Sequence, residues 1–174
     1  MGIWVVYESL WGNTEAVARA IAEGLGTDAT LLTTSQADPS RALEASAIVA
    51  GAPVHGMNLP TQQSRESATS KKVDAEHAAA DLSTRPMREW LDALPPLSVP
   101  AAAFDTRVRG PLGRGANTAI LRALQDKGCT RISAPRGFLV NFSSAGPERG
   151  DLLKAGQLDE ARAWGTELAS LLRA

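Results

Sequence analysis

Residues 8–14, Glu8-Ser9-Leu10-Trp11-Gly12-Asn13-Thr14, hold side chains suited to anion chemistry. Two hydroxyls, a glycine and an asparagine stand between an apolar run and a helical pattern. The N–H groups free at a helix start, together with the helix macrodipole, favour negative charge there. Gly12 lets the backbone approach a ligand with no Cβ in the way. Ser9 and Thr14 offer hydroxyl donors to phosphate oxygens, and Asn13 offers a cap for the turn. The loop has no Lys or Arg, so a phosphate held here is neutralised by backbone dipoles and hydroxyls alone. The pattern is neither a Walker loop nor GxGxxG. Taken as a turn alone, the same residues also describe a capped strand-to-helix connection, with Ser9 or Asn13 satisfying helix N–H groups.

Other chemistry-bearing residues are fewer. Arg107, Arg109 and Arg114 follow Asp105 in a Gly-rich stretch. They read either as solvated loop cations or as receivers of the phosphates of NAD(P)H or of an acidic substrate. Asp74, Glu76, His77 and Asp81 form a polar cluster that reads as the solvated face of a helix rather than a metal site. Cys129 follows Gly128 at a strand start and reads as buried and inert. The sequence holds no Ser/His/Asp order, zinc-protease motif or CxxC pair.

Alternating elements must position these groups. Ile3–Tyr7 is a continuous β-rich run of the kind buried on both faces of a parallel sheet. A helix is expected from about Thr14 to Leu25, with Val17, Ala18, Ile21, Ala22 and Leu25 on one stripe and Gly26 ending it. Strands are expected over 29–34, 47–51, 99–104 and, irregularly, 132–140. A short helix opens at Asp38-Pro39, and longer ones are expected over 87–94, 117–127 and 158–172. The buried stripe of the last is read as Leu158, Ala161, Trp164, Gly165, Leu168, Leu171 and Leu172. Residues 54–81 are polar and too long for an ordinary connection, which marks a functional loop or an insertion, with a solvated helix possible over 70–81. The order β-α-β-α-β-loop-α-β-α-β-α predicts a parallel sheet covered by helices on both faces. Ligands bind such sheets outside the carboxyl ends of the strands, so the loops to examine follow the first, third and fourth strands.

Length and composition fit this reading. The chain has 174 residues, 44% of them hydrophobic and 21% charged, as in an ordinary folded protein of one domain spanning 1–174. Its formal net charge of −1 argues against a nucleic-acid binder. One cysteine excludes a disulfide framework. Without a long apolar run or a basic leader, no membrane span or signal peptide is expected, and the expected compartment is the cytoplasm.

Ser9-Leu10-Trp11-Gly12-Asn13-Thr14, after an apolar strand ending in Tyr7, resembles the phosphate-binding loop of the flavodoxins, S/T-x-T-G-N-T. The departure is Trp11, where that pattern has Thr: a hydroxyl is lost and a large ring gained. Val49-Ala50-Gly51-Ala52-Pro53-Val54-His55-Gly56-Met57 resembles the third strand and the following loop that lies against the flavin in flavodoxin-like proteins. Residues 103–107 and 138–140, with Gly146-Pro147, resemble a flavodoxin-domain subfamily of actinobacterial type. The resemblance runs along nearly the whole chain except 60–85. It implies a flavodoxin-like α/β/α sandwich with a five-stranded parallel sheet of order 2-1-3-4-5.

The implied cofactor is FMN. Its phosphate would lie on Ser9, Leu10, Trp11, Gly12, Asn13 and Thr14. Its ring would lie between Pro53, Val54, His55, Gly56 and Met57 on one side and Asp105, Thr106 and Arg107 on the other. His55 would hydrogen-bond or stack near the ring, Met57 would pack on a face, and backbone N–H groups of 105–107 would meet the pyrimidine edge. Three functional classes follow: an electron carrier for a redox partner protein, an FMN oxidoreductase acting on NAD(P)H and a quinone or porphyrinogen, and a domain that has lost flavin. Carrier flavodoxins tend to be strongly acidic, so a charge of −1 and an Arg-bearing third loop do not point to an ordinary acidic carrier. The sequence is silent on oligomeric state.

Overall fold

The computed structural model describes residues 2–55, 57–70, 80–110, 115–141 and 148–174. Strands β1 (Ile3–Tyr7), β2 (Ala29–Thr33), β3 (Ala47–Pro53), β4 (Pro100–Arg107) and β5 (Thr130–Arg131) form a parallel sheet of order β2-β1-β3-β4-β5. A sixth piece, β6 (Arg136–Leu139), also pairs with β4. The helices are α1 (Asn13–Leu25), α2 (Gln62–Ser70), α3 (Met87–Ala93), α4 (Ala116–Asp126) and α5 (Gln157–Arg173), with a 3-10 helix at Pro39–Glu44. As the Asp-Pro pair implied, Asp38 caps that short helix, its Oδ1 accepting from the Ser40 N–H at 2.9 Å.

The alternation of side chains across the sheet builds two cores. Val6, Ile48, Ala50, Ala101 and Ala103 face α3 and α4, where Met87, Trp90, Leu91, Ile120, Leu121 and Leu124 are buried. Ile3, Val5, Val49, Ala102 and Phe104 face α1 and α5, meeting Val17, Ile21, Trp164 and Leu168. Strands buried on both sides have no polar face, which is why they read as unbroken apolar runs. Phe104, Phe138 and Trp164 meet edge to face or tilted, with centroids 6.2–6.5 Å apart.

Several boundaries differ from expectation. β3 runs past its expected end through Ala52 to Pro53, and β4 runs to Arg107, past the polar residues that suggested a loop. The fifth strand is two fragments: β5 pairs with Pro100 and Ala101 at the start of β4, and β6 with Phe104–Arg107 at its end. Pro135, between them, has no N–H to give a ladder. The polar segment carries a helix at 62–70, and the one expected over 70–81 falls almost wholly on residues outside those described. Residues 71–79, which include Asp74, Glu76 and His77, lie outside the described residues, as does Arg114. Leu158 and Leu171 are exposed (41% and 44%) instead of buried. The stripe of α5 is narrower than the sequence implied because the helix presses on α1 along Ala161, Trp164, Gly165 and Leu168.

Candidate functional site

β1 leads through α1 to β2 on one side, and β3 leads through α2 and α3 to β4 on the other. The connections leave in opposite directions, so a crevice opens at the carboxyl ends of β1 and β3. Residues 9–14 border it. Gly12 precedes α1 with φ of 86°, in the left-handed region that glycine adopts freely. Its N–H donates to Ser9 Oγ at 3.1 Å. The backbone N–H groups of Leu10, Trp11, Asn13 and Thr14 meet no acceptor among the described residues. Thr14 is buried, and its hydroxyl shares a 2.8 Å hydrogen bond with that of Thr106, tying the loop to β4.

Asn13 does not cap the turn. Its Oδ1 accepts from the Leu152 N–H at 3.1 Å, because residues 149–152 lie across the loop. A Cβ on Gly12 would stand 2.9 Å from Arg149 Cβ and 3.0 Å from Gly150 N.

The second loop makes a tight turn. The His55 N–H donates to Asn58 O at 2.9 Å and the Asn58 N–H to His55 O at 3.1 Å. Met57 within it has φ of 65° and is 54% exposed. Gly56 lies outside the described residues. Pro53 pairs with Thr106 in the sheet, and the Val54 N–H donates to Thr106 O at 3.0 Å. The His55 ring faces that of Trp11, with centroids 5.8 Å apart and planes tilted by 37°. Its Nδ1 lies 3.3 Å from Ser64 Oγ. Burial, and then the nearby Arg65 guanidinium, holds the imidazole pKa below its ordinary value. His55 is therefore expected to be neutral at pH 7. An NMR titration of its ring protons should give a midpoint below about 6.5, the ordinary histidine value, and Arg65→Ala should raise it.

Asp105, Thr106 and Arg107 sit in the sheet rather than in a loop. β3 pairs with Asp105 and Thr106 on one side, and β6 pairs with Asp105–Arg107 on the other. The Asp105 carboxylate is fully buried and held at both oxygens by Arg107, at 2.5 and 2.7 Å, and by the Asn117 N–H at 3.0 Å. These partners let a charged residue occupy a strand. Burial still pushes the Asp105 carboxyl pKa up, against the opposing pull of those partners. Arg107 is thus turned back onto the protein. With Arg109, Gln157 and Glu160 it lines an open groove of about 360 Å³ at the ends of β4 and β6.

One buried ion pair beside the site carried no signal in the sequence. Glu8 and Arg65, 57 residues apart, are 0% and 3% exposed and form a salt bridge. Glu8 Oε2 also accepts from the Met87 N–H at 2.8 Å. Arg65 Nη2 donates to the carbonyls of Thr84 (2.6 Å) and Leu82 (3.3 Å). Burial drives the Glu8 pKa up, against the Met87 N–H and Arg65, which pull it down. Arg65 comes from α2, so the pair pins that helix to the end of β1.

No protein-family model and no curated protein matches the sequence. Solved structures do match by shape. A flavodoxin from the domain Archaea superposes with a TM-score of 0.65 at 22% identity, covering 100% of both chains. Flavodoxin 1 from Bacillus cereus gives 0.64 at 13% identity, over 98% of each. A cysteine-to-serine variant of flavodoxin from Pseudomonas aeruginosa gives 0.66 at 15% identity, over 100% of each. The strand order, the helices on both faces and these superpositions agree: the chain has the flavodoxin-like α/β fold.

Proposed function

We propose that this chain binds FMN and passes electrons through it to a redox partner protein or a small-molecule acceptor. The observation that carries this reading is the loop of residues 9–14. It lies at the sheet's switch point, with four backbone N–H groups lacking acceptors among the described residues and Gly12 in the left-handed region. Those N–H groups, with Ser9 and Thr14 beside them, suit a phosphate. When bound, the flavin ring supplies one- and two-electron chemistry. The protein's part is to bind, orient and tune. Trp11, His55 and Met57 supply two rings and a thioether at the crevice, near Pro53 and Val54. A neutral His55 can hydrogen-bond there without adding charge. Asp105, compensated by Arg107, places no net negative charge beside a group that accepts electrons.

FMN fluorescence should be quenched on titration with the protein and saturate at one equivalent; absence of quenching, with no yellow colour in purified protein, sinks the reading. Gly12→Ala should weaken FMN about tenfold. A left-handed non-glycine residue costs about 1–2 kcal/mol, and residues 149–150 must also move.

The groove beside Arg107 and Arg109 favours a second reading, an FMN oxidoreductase using NAD(P)H and a quinone or porphyrinogen. NAD(P)H consumption that depends on added quinone selects it. Reduction only through a partner reductase selects the carrier.

A further inference from the structure

We propose that Arg149 is a positioning residue for the first loop, holding the Leu10–Trp11 peptide plane so that the Trp11 N–H faces a bound phosphate. The ligand's identity as FMN rests on the reading above; the anion site does not. The argument starts from the carbonyls. Leu10 O accepts from the Asp81 N–H at 2.7 Å and from Arg149 Nη1 at 3.3 Å. Trp11 O accepts from the Gly150 N–H at 2.8 Å. The described peptide bonds are trans, and in a trans peptide the C=O and N–H point in opposite directions. Leu10 O shares a plane with the Trp11 N–H, and Trp11 O shares the next with the Gly12 N–H. Holding both carbonyls toward Asp81, Arg149 and Gly150 turns both N–H groups the other way. On that side Ser9 Oγ takes the Gly12 N–H, which leaves the Trp11 N–H open to the ligand.

The segment that carries Arg149 is anchored independently of the loop. The Asn141 N–H donates to Leu152 O at 2.7 Å and the Lys154 N–H to Leu139 O at 3.0 Å, and Val140 bridges Leu153. The guanidinium has a second effect. Nη2 stands 3.8 Å from Glu15 Oε2 and 4.0 Å from Asp81 Oδ2. Two carboxylates beside an anion site oppose its ligand, and Arg149 offsets both. A loop with no cation in its own sequence thus acquires one from residue 149.

The test titrates inorganic phosphate into isotope-labelled wild type and Arg149→Ala, reading the amide resonances of Trp11 and Gly12. FMN and riboflavin, which differ by the phosphate, are titrated in parallel. Wild type should show saturable shifts. Arg149→Ala should bind phosphate and FMN at least tenfold more weakly, with riboflavin affinity and the β1–β3 amides unchanged. Arg149→Met, which keeps the apolar stem without donor or charge, carries the same expectation if the alanine variant does not fold. The proposal is overturned by equal phosphate affinity in variant and wild type, by equal losses for FMN and riboflavin, or by no phosphate response in wild type. A wild type that binds phosphate but not FMN retires the flavin reading and leaves the Arg149 inference to the phosphate arm.

Discussion

Arg65→Ala should lower the unfolding free energy by about 3–5 kcal/mol, the usual cost of leaving one partner of a buried ion pair alone. Glu8 is fully buried and keeps only the Met87 N–H once the guanidinium is gone. The carbonyls of Leu82 and Thr84 lose their donor as well. The pH dependence has a definite sign. The Glu8 pKa is already raised by burial, and Arg65 is one of the groups opposing that rise. Without Arg65 it rises further. A group with a raised folded pKa contributes stability that is present below its unfolded value, about 4.3 for Glu, and lost as pH climbs through the folded value. The variant should therefore lie closest to wild type near pH 4–5 and fall furthest behind near pH 8. Urea denaturation at both ends of that range checks this, and a deficit independent of pH would refute the account. Replacing both partners at once, Glu8→Leu with Arg65→Met, should restore the part of the loss that comes from the lone Glu8 charge and remove its pH dependence, since an apolar pair carries no desolvation cost.

Gly24→Ala should destabilise the protein by about 2 kcal/mol and lower Tm by roughly 4–8 °C for a chain of this size. Helix propensity alone predicts the opposite, a gain of about 1 kcal/mol for Ala over Gly inside a helix. Packing decides the sign. A Cβ at Gly24 would collide with the carbonyl oxygen of Arg162 and stand 2.9 Å from Thr166 N. On the facing helix, a Cβ at Gly165 would collide with Ile21 O and stand 3.0 Å from Gly24 Cα. The obstacles are backbone atoms, so no rotamer change relieves them. Separating α1 from α5 loosens the contacts of Val17, Ile21, Trp164 and Leu168. Overpacking of this kind costs about 1–3 kcal/mol even where side chains can yield. Glu167→Ala, on the exposed side of α5, should change stability by under about 0.5 kcal/mol. Thermal unfolding of the two variants side by side tests the contrast. A neutral or stabilised Gly24→Ala would mean the helices are not held at this separation.

The difference between these two sites shows what sequence pattern can express. Ile3–Tyr7 and 47–51 read as strands because burial on both faces leaves no polar position to confuse the pattern. The helix after Gly12 was legible for a similar reason, with Val17, Ala18 and Ile21 at helical spacing. Asp105-Thr106-Arg107 misled because its polar residues look solvated. Arg107 and the Asn117 N–H neutralise Asp105 inside the sheet; the two-residue spacing of Asp105 and Arg107 suits one face of a strand, but nothing along the chain says that the strand runs that far. Leu158 and Leu171 misled in the opposite direction. Periodicity marks which residues share a helix face, but not how wide a stripe its partner covers. Glu8 was visible only as a polar residue after a strand.

The sequence by itself determined the alternation of strands and helices, hence a parallel sheet and a crevice at the ends of its strands, and it located the anion-suited turn at 9–14. Those features are local: they depend on residue type and on spacings of two to four positions. Tertiary structure alone decided what surrounds that turn. It brought Arg149 and Gly150 onto its carbonyls, Leu152 onto Asn13, Thr106 onto Thr14, and Arg65 onto Glu8. Each of these partners is between 57 and 139 residues away, joined through chain that makes its own separate contacts. No local pattern records such a meeting, because it follows from how the packed layers fix the ends of the connections rather than from the residues on either side of the turn.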